Sequence, residues 1–131
     1  MLNILVVDDS VLMRNNIKSY VKELGHNVLG EAQNGSIAVK MCKELSPDLI
    51  TMDITMPDMD GITAIKQIRE FNNDVNIIVS TSHGQEEIIM RSLQAGAKGY
   101  ILKPMSKDTL LSTIQNIYQT SNNDSEYLLD D

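Results

Sequence analysis

Five short apolar runs alternate along the chain with five segments in which apolar residues recur at helical spacing. The runs cover residues 2–7, 28–32, 49–52, 75–80 and 100–102 and are rich in Val, Ile and Leu. The helical stripes lie at residues 13–24, 37–45, 62–68, 88–93 and 110–118. Such runs are typical of strands buried on both faces, and their alternation with helices predicts a parallel sheet with helices on both sides. The predicted fold class is therefore α/β.

The bulk composition narrows the classes of protein to which this chain can belong. At 131 residues, with 42% hydrophobic and 22% charged residues, it has the length and balance of one globular domain. A net charge of −7 argues against direct nucleic acid binding or lipid binding through charge alone. The apolar runs are too short to cross a bilayer, and no secretory signal pattern opens the chain. With the lone Cys42, these features predict a cytoplasmic protein without membrane insertion.

Two regions of the chain differ in composition. We expect residues 1–120 to form the folded domain. Residues 121–131 are polar, acidic and without clear periodicity, which predicts a flexible tail. A linker of a longer protein, or a peptide that docks on a partner, stays open as an alternative for this segment.

Polar residues follow or end four of the predicted strands. Asp8 and Asp9 follow the first, Asp53 ends the third, Thr81 ends the fourth and Lys103 ends the fifth. Right-handed crossovers place the carboxyl ends of all strands at one edge of the sheet, so these side chains should converge there. Each residue alone has an ordinary explanation as a helix cap, a strand-end hydroxyl or a solvated charge. The conjunction of complementary groups at four strand ends indicates a functional site.

The chemistry of these groups points to a phosphoryl site with a metal ion. Two carboxylates about 4 Å apart repel by roughly 4 kcal/mol at an intermediate dielectric, so either some of the carboxylates stay protonated or a cation neutralises them. Oxygen ligands without His or Cys favour Mg²⁺. Lys103 and the Thr81 hydroxyl, facing that ion, would suit the oxygens of a phosphoryl group. Asp53 is central and is the predicted nucleophile, since aspartate forms acyl phosphates, whereas Asp8 and Asp9 are better placed to hold the metal.

The chain resembles the receiver domains of two-component response regulators, most closely the stand-alone chemotaxis regulators of the CheY type. The matching stretches are ILVVDDS at 4–10, MR at 13–14, DLITMDITMP at 48–57, MDG at 59–61, STS at 80–82, AGA at 95–97 and GYILKP at 99–104. The likeness spans residues 2–120, and the set of motifs is highly specific. It implies a five-stranded sheet in the order 2-1-3-4-5 with five helices, the flavodoxin-like arrangement.

The resemblance also implies roles for individual residues at the acidic site. Asp53 would be the phosphoacceptor and would give one oxygen to Mg²⁺. Asp9 would hold the ion directly and Asp8 largely through water. The backbone carbonyl of Thr55 would complete the ligands that the protein supplies.

Further positions match the phosphoryl contacts and the switch of the family. Lys103 and Thr81 would contact the phosphoryl group, and Lys103–Pro104 would be a cis peptide bond. Thr81 and Tyr100 resemble the switch pair, in which the hydroxyl moves to the phosphoryl group and the ring turns into the vacated space. The implied readout surface is helix four, strand five and helix five. Its candidate residues, which the sequence cannot separate from core residues, are Ile89, Met90, Tyr100 and Met105.

These roles predict a signalling protein and not an enzyme beyond its own phosphorylation and dephosphorylation. The expected partners are a histidine kinase or phosphotransfer protein and a downstream protein, for which the flagellar motor switch is one candidate. A monomer is expected, and dimerisation on phosphorylation stays open.

Three other interpretations compete with a stand-alone chemotaxis regulator. The nearest is a receiver domain excised from a larger regulator with its own output domain. A haloacid-dehalogenase-like phosphatase also uses an Asp nucleophile with Mg²⁺, but it carries a second Asp as general acid, and here Asp53-Ile54-Thr55 lacks it. A flavin- or nucleotide-binding module needs a Gly- or Ser-rich loop after the first strand, where this chain has Asp8-Asp9.

Overall fold

A twisted parallel sheet with helices on both faces forms the body of the molecule. The computed structural model describes residues 1–56 and 59–130. Within these residues the strands are β1 (Asn3–Val7), β2 (Asn27–Ala32), β3 (Leu49–Asp53), β4 (Asn76–Thr81) and β5 (Gly99–Leu102). The helices are α1 (Val11–Glu23), α2 (Gly35–Leu45), α3 (Gly61–Arg69), α4 (Glu86–Ala95) and α5 (Lys107–Asp130).

The order of the strands confirms both the predicted class and the arrangement implied by the resemblance. The sheet runs β2-β1-β3-β4-β5, and every neighbouring pair is parallel. The chain moves outward from β1 to β2 and then crosses to β3 on the other side of β1. At such a switch point the connections leave in opposite directions and open a crevice beyond the carboxyl ends of the strands. The fold therefore places a ligand site beside β1 and β3.

Two apolar layers, one on each face of the sheet, hold the helices. One layer packs α2, α3 and α4 against side chains such as Ile50 and Met52 and includes Cys42. The other packs α1 and α5 against side chains such as Leu49. Because side chains alternate along a strand, Asp53 lies on the same face as Leu49, at the end of a strand that is buried throughout. Cys42 is a buried core residue.

The helices begin and end where local chemistry requires. The side chains of Ser10, Asn34 and Asp60 accept hydrogen bonds from backbone amides in the first turns of α1, α2 and α3. Helix α1 ends just before Gly25, which has a φ of +87°, a backbone conformation that glycine adopts without strain. All three caps follow loops at the carboxyl edge of the sheet, so they fix where those loops end.

The final helix is longer than the sequence pattern suggests. Helix α5 continues past residue 120 and ends at Asp130. The division into a domain of residues 1–120 and a tail of residues 121–131 stays a prediction. Pro57 and Asp58, within or beside one of the family motifs, lie outside the described residues. Among the helices that the structure describes, none combines the length and the apolar character needed to span a membrane.

The structure separates core from surface in the predicted readout region. Ile89 and Met105 are buried, so of the two alternatives that the sequence left open they are core residues. Met90 and Tyr100 are 56% and 48% exposed, which leaves both available to a partner. Ile89 and Met90 are neighbours on α4, and a helix turns by about 100° per residue, so one side chain enters the core while the next faces solvent.

Candidate functional site

Three carboxylates converge at the crevice beyond β1 and β3. Asp8 and Asp9 follow β1, and Asp53 is the last residue of β3. One carboxylate oxygen from each of the three lies within 4.8 Å of the others. Asp8 and Asp53 are buried, and Asp9 is exposed. The structure therefore brings together the three acidic residues that the sequence placed at one edge of the sheet.

Hydrogen bonds from α1 and from the residue before it hold the loop that carries Asp8 in place. Its Oδ1 accepts a hydrogen bond of 2.9 Å from the backbone amide of Ser10. The guanidinium of Arg14, itself buried, donates a 2.7 Å hydrogen bond to the Asp8 backbone carbonyl and pairs with Glu31 on β2 at 2.9 Å. Arg14 thus ties α1, the acidic loop and β2 together. Sequence reasoning gave Arg14 no role, although it lies in the first turn after the acidic pair, where a long cation can reach back to the loop.

The two oxygens of Asp53 are in different situations. Its Oδ1 accepts hydrogen bonds from Lys103 Nζ at 3.0 Å and from the Thr55 backbone amide at 3.2 Å. Its Oδ2 is buried and has no hydrogen-bond partner among the described residues, and the same holds for Asp8 Oδ2. A buried polar atom without a partner costs free energy, so such atoms are rare unless a ligand completes them. Two of them in one cluster of carboxylates indicate a binding site.

Burial and mutual repulsion make the cluster reluctant to ionise. Burial raises the pKa of Asp53 to about 6, against the lowering effect of the Lys103 ammonium. Burial also raises the pKa of Asp8, and the nearby Asp9 carboxylate adds to the rise. A divalent cation would reverse both effects because it favours the charged form of every carboxylate. The oxygen-only donor set, with two free buried oxygens, fits a hard ion such as Mg²⁺.

Lys103, which follows β5, reaches Asp53, whereas Thr81 is the last residue of β4, between β3 and β5. The Lys103 backbone amide donates a 2.7 Å hydrogen bond to the Thr81 carbonyl, so the ends of β4 and β5 stay aligned. The Lys103–Pro104 peptide bond is cis, as the resemblance implied. The Thr81 hydroxyl donates a close hydrogen bond to the side-chain carbonyl of Gln85, just before α4. Sequence reasoning did not foresee this contact, because it depends on the path of the β4–α4 loop.

The remaining predicted residues lie around the cluster. Tyr100 is on β5, at the edge of the sheet, and its side chain is half exposed to solvent. Thr55 is exposed, on the loop that follows β3. The role of the Thr55 carbonyl as a metal ligand stays a prediction. The structure thus assembles Asp8, Asp9, Asp53 and Lys103 into one site and directs the Thr81 hydroxyl towards α4.

This arrangement can neutralise and orient a phosphoryl group. A carboxylate oxygen without a partner beside an ammonium group offers a nucleophile and a cation within one crevice. A metal held by the acidic cluster would add a second positive centre. Phosphoryl transfer requires mainly positioning and neutralisation of the equatorial oxygens, and this geometry can provide both.

Comparisons with known proteins agree with this interpretation. Residues 4–115 match the response regulator receiver domain. The chain is 48% identical over 111 residues to the chemotaxis protein CheY of Bacillus subtilis (strain 168), an alignment that covers 85% of this chain and 92% of the relative. It is 41% identical over 114 residues to the chemotaxis protein CheY of Thermotoga maritima, covering 87% and 95%.

A solved structure extends the likeness to the fold. The CheX-CheY-BeF3-Mg²⁺ complex from Borrelia burgdorferi contains a chain with a TM-score of 0.85 and 34% identity, and the match covers 88% of both chains. The family match over most of the sequence and the identities to curated relatives lead to one conclusion. The chain belongs to the response regulator receiver domains, a family of phosphorelay signalling proteins.

Proposed function

We propose that this receiver domain accepts a phosphoryl group on Asp53, with Mg²⁺ bound by Asp8, Asp9 and Asp53 and by the Thr55 backbone carbonyl. The observation that supports the proposal most is the buried Oδ2 of Asp53, which has no partner among the described residues, in the cluster with Asp8 and Asp9, while Oδ1 accepts a 3.0 Å hydrogen bond from Lys103. One carboxylate oxygen of Asp53 can attack phosphorus while the other accepts a hydrogen bond from Lys103. Mg²⁺, when bound, would neutralise negative charge on the carboxylates and on the phosphoryl oxygens.

The transfer needs little from the protein beyond position and charge. A carboxylate oxygen of Asp53 forms a bond to phosphorus while the bond from phosphorus to the donor breaks. With a phosphohistidine donor, the leaving imidazole nitrogen keeps the electron pair and takes up a proton from solvent. Lys103 stabilises the charge on the phosphoryl oxygens, and the Thr81 hydroxyl can donate to one of them. Acceptance of the group and its later hydrolysis are the only chemical steps proposed for this chain.

The switch proposal concerns Thr81 and Tyr100. The Thr81 hydroxyl is bonded towards α4, and the Tyr100 ring is half exposed on the edge strand. A phosphoryl dianion on Asp53 would draw the hydroxyl to itself and leave space into which Tyr100 turns. The exposed side chains of Met90, Tyr100 and Leu102 would then present a changed surface to a partner.

Chemotaxis is the signalling role that we propose. Curated relatives named chemotaxis protein CheY are covered over 92% and 95% of their own length. A transcriptional regulatory protein, YdfI of Bacillus subtilis, is covered over only 52%. The identity is 48% to the Bacillus subtilis CheY and 40% to YdfI, which supports a role in chemotaxis. A histidine kinase or phosphotransfer protein upstream and a protein target downstream are the proposed partners, with the flagellar switch as one candidate target and the cytoplasm as the location.

The test is phosphorylation of the chain by a small donor. The protein is incubated with acetyl phosphate and Mg²⁺, and its intact mass is measured. We expect a gain of one phosphoryl group, lost when EDTA removes the metal and absent in Asp53→Asn. An unchanged mass in the presence of Mg²⁺, or equal labelling of Asp53→Asn, would refute the proposal. Sustained turnover of a generic phosphomonoester would instead favour a phosphatase.

A further inference from the structure

The Thr81 hydroxyl already has a partner in this structure. Thr81 is the last residue of β4, and its side chain is buried. Its Oγ1 lies in close hydrogen-bonding contact with Gln85 Oε1, and its next acceptor, the Ser82 carbonyl, is 3.4 Å away. Within the described part of the chain, the hydroxyl makes no hydrogen bond to the side chain of Asp53 or Lys103. The Thr81 hydroxyl, which should donate to the phosphoryl group, is therefore hydrogen-bonded to Gln85 in this structure.

Gln85 occupies an unusual position for this contact. It is the residue before the first turn of α4, with φ −116° and ψ 40°, and its side chain makes no capping hydrogen bond. The corresponding residues of α1, α2 and α3, which are Ser10, Asn34 and Asp60, all cap their helices with their side chains. The amide of Gln85 is directed to Thr81 instead of to its own helix. The start of α4 is thus connected to the phosphoryl site through one hydrogen bond.

A hydroxyl has a single proton and can donate it to one acceptor at a time. The Thr81 hydroxyl must therefore break its hydrogen bond to Gln85 before it can donate one to a phosphoryl oxygen on Asp53. The charged phosphoryl oxygen is the stronger acceptor, so the exchange goes forward, but at the loss of one neutral hydrogen bond. Losing this hydrogen bond lowers the affinity of the site for a phosphoryl group by about fivefold, which is the effect expected from the net free energy of one neutral hydrogen bond.

We propose that Gln85 is a positioning residue that sets the threshold of the switch. It holds the Thr81 hydroxyl in the unphosphorylated orientation, and phosphorylation of Asp53 releases both Thr81 and the start of α4. The inference rests on the proposed function, since it requires a phosphoryl group at Asp53. It adds a residue that touches neither the metal cluster nor the phosphoryl group and that links the site to the first turn of α4.

The experiment measures the affinity of beryllofluoride, a phosphoryl mimic, in the presence of Mg²⁺. Titrations followed by ¹H–¹⁵N NMR compare the wild-type chain with Gln85→Met, which keeps the length of the side chain but accepts no strong hydrogen bond. We expect Gln85→Met to bind beryllofluoride about fivefold more tightly. Gln85→Glu, which keeps an acceptor and adds a charge that repels the mimic, should bind it more weakly than the wild type. Gln94→Met, an exposed site on the same helix, is the matched control and should bind like the wild type.

Repeating the comparison in the Thr81→Val variant shows whether Gln85 acts through the Thr81 hydroxyl or through a general effect on α4. In Thr81→Val the proton is absent, so adding Gln85→Met should leave the affinity for beryllofluoride unchanged. An equal tightening with and without the Thr81 hydroxyl, or no tightening by Gln85→Met in the wild-type background, would overturn the inference. If the wild-type chain fails to bind beryllofluoride with Mg²⁺, the proposed function itself fails. The two failures are thus distinguishable.

Discussion

The two ends of the central strand β3 carry the same residue type in opposite environments. Asp48, just before the strand, is exposed, and its Oδ2 accepts a 2.7 Å hydrogen bond from the Asn3 backbone amide. Asp53, at the other end, is buried and keeps one oxygen without a partner among the described residues. The first aspartate completes the edge of the sheet, whereas the second reduces stability and leaves an oxygen for a ligand.

The edge strand β5 repeats the contrast with lysines. Lys98, just before the strand, is exposed, while the Lys103 ammonium, just after it, lies 3.0 Å from Asp53 Oδ1. Polar groups at the amino end of the sheet satisfy one another, as Asn76 and Tyr118 also do. At the carboxyl end, Asp8 Oδ2 and Asp53 Oδ2 stay without a hydrogen-bond partner among the described residues. The comparison teaches that the same residue types serve stability at one end of the sheet and ligand binding at the other.

Replacing the two lysines tests this contrast where the largest effect is expected. Lys103→Met removes the cation that faces the phosphoryl group, so the rate of phosphorylation by acetyl phosphate should fall by about 100-fold or more. Lys98→Met removes the same charge at the other end of β5 and should change the rate less than about twofold. Time courses of intact mass measure both rates. Similar rates for the two variants would show that position on the strand does not matter.

The two ends of the sheet should also differ in their effect on metal affinity. Asp9→Asn removes a proposed direct ligand, and the Kd for Mg²⁺ should rise by roughly 10- to 100-fold. Asp48→Asn changes the net charge by the same amount and should leave the Kd within about twofold, because Asp48 lies at the other end of the sheet. Isothermal titration calorimetry measures both constants. A comparable rise in both variants would mean that overall charge, and not the cluster, attracts the ion.

Much of the site could be predicted because it lies at strand ends. An apolar run that stops at Asp8, Asp53 or Lys103 marks the edge of a parallel sheet, and topology alone brings such edges together. The bond between Thr81 and Gln85 could not be predicted, because it depends on the path of the intervening loop and on the choice of rotamer. The anchoring of the acidic loop by Arg14 was missed for the same reason. The order of the strands came from the resemblance and not from the pattern of residues.

The pH dependence of stability should reveal the unfavourable burial of Asp53 when the metal is absent. Its pKa is raised from 3.8 to about 6 on folding, so between these values the folded state binds more protons than the unfolded state. The contribution of Asp53 to stability is fully present below the pKa of the unfolded state, 3.8, and is lost as the pH rises through the pKa of the folded state, about 6. In EDTA, the free energy of unfolding of the wild type, relative to that of Asp53→Asn, should fall between pH 4 and pH 7.5, by on the order of 2 kcal/mol.

The difference between the two proteins is the quantity to measure, since His26 changes stability in the opposite direction. Its folded-state pKa is lowered, mainly by burial, so its contribution is lost as the pH falls. Urea unfolding at several pH values gives the difference, in which the His26 contribution cancels. A difference that does not change with pH would show that the folded and unfolded pKa of Asp53 are the same. Saturating Mg²⁺ should raise the stability of the wild type more than that of Asp53→Asn.

We expect the smallest effect at the amino end of the sheet. A hydrogen-bonded pair of polar side chains there contributes to the stability of the fold and not to phosphorylation. Asn76, the first residue of β4, donates a 2.9 Å hydrogen bond from Nδ2 to the Tyr118 hydroxyl on α5. Tyr118→Phe should lower the free energy of unfolding by about 1 kcal/mol and the Tm by about 3–5 °C, without changing phosphorylation. Tyr20→Phe is the matched control, because that ring packs on the same apolar layer and its hydroxyl has no hydrogen bond to the described residues. Equal stability of the two variants, or slower phosphorylation of Tyr118→Phe, would contradict this division of roles between the two ends of the sheet.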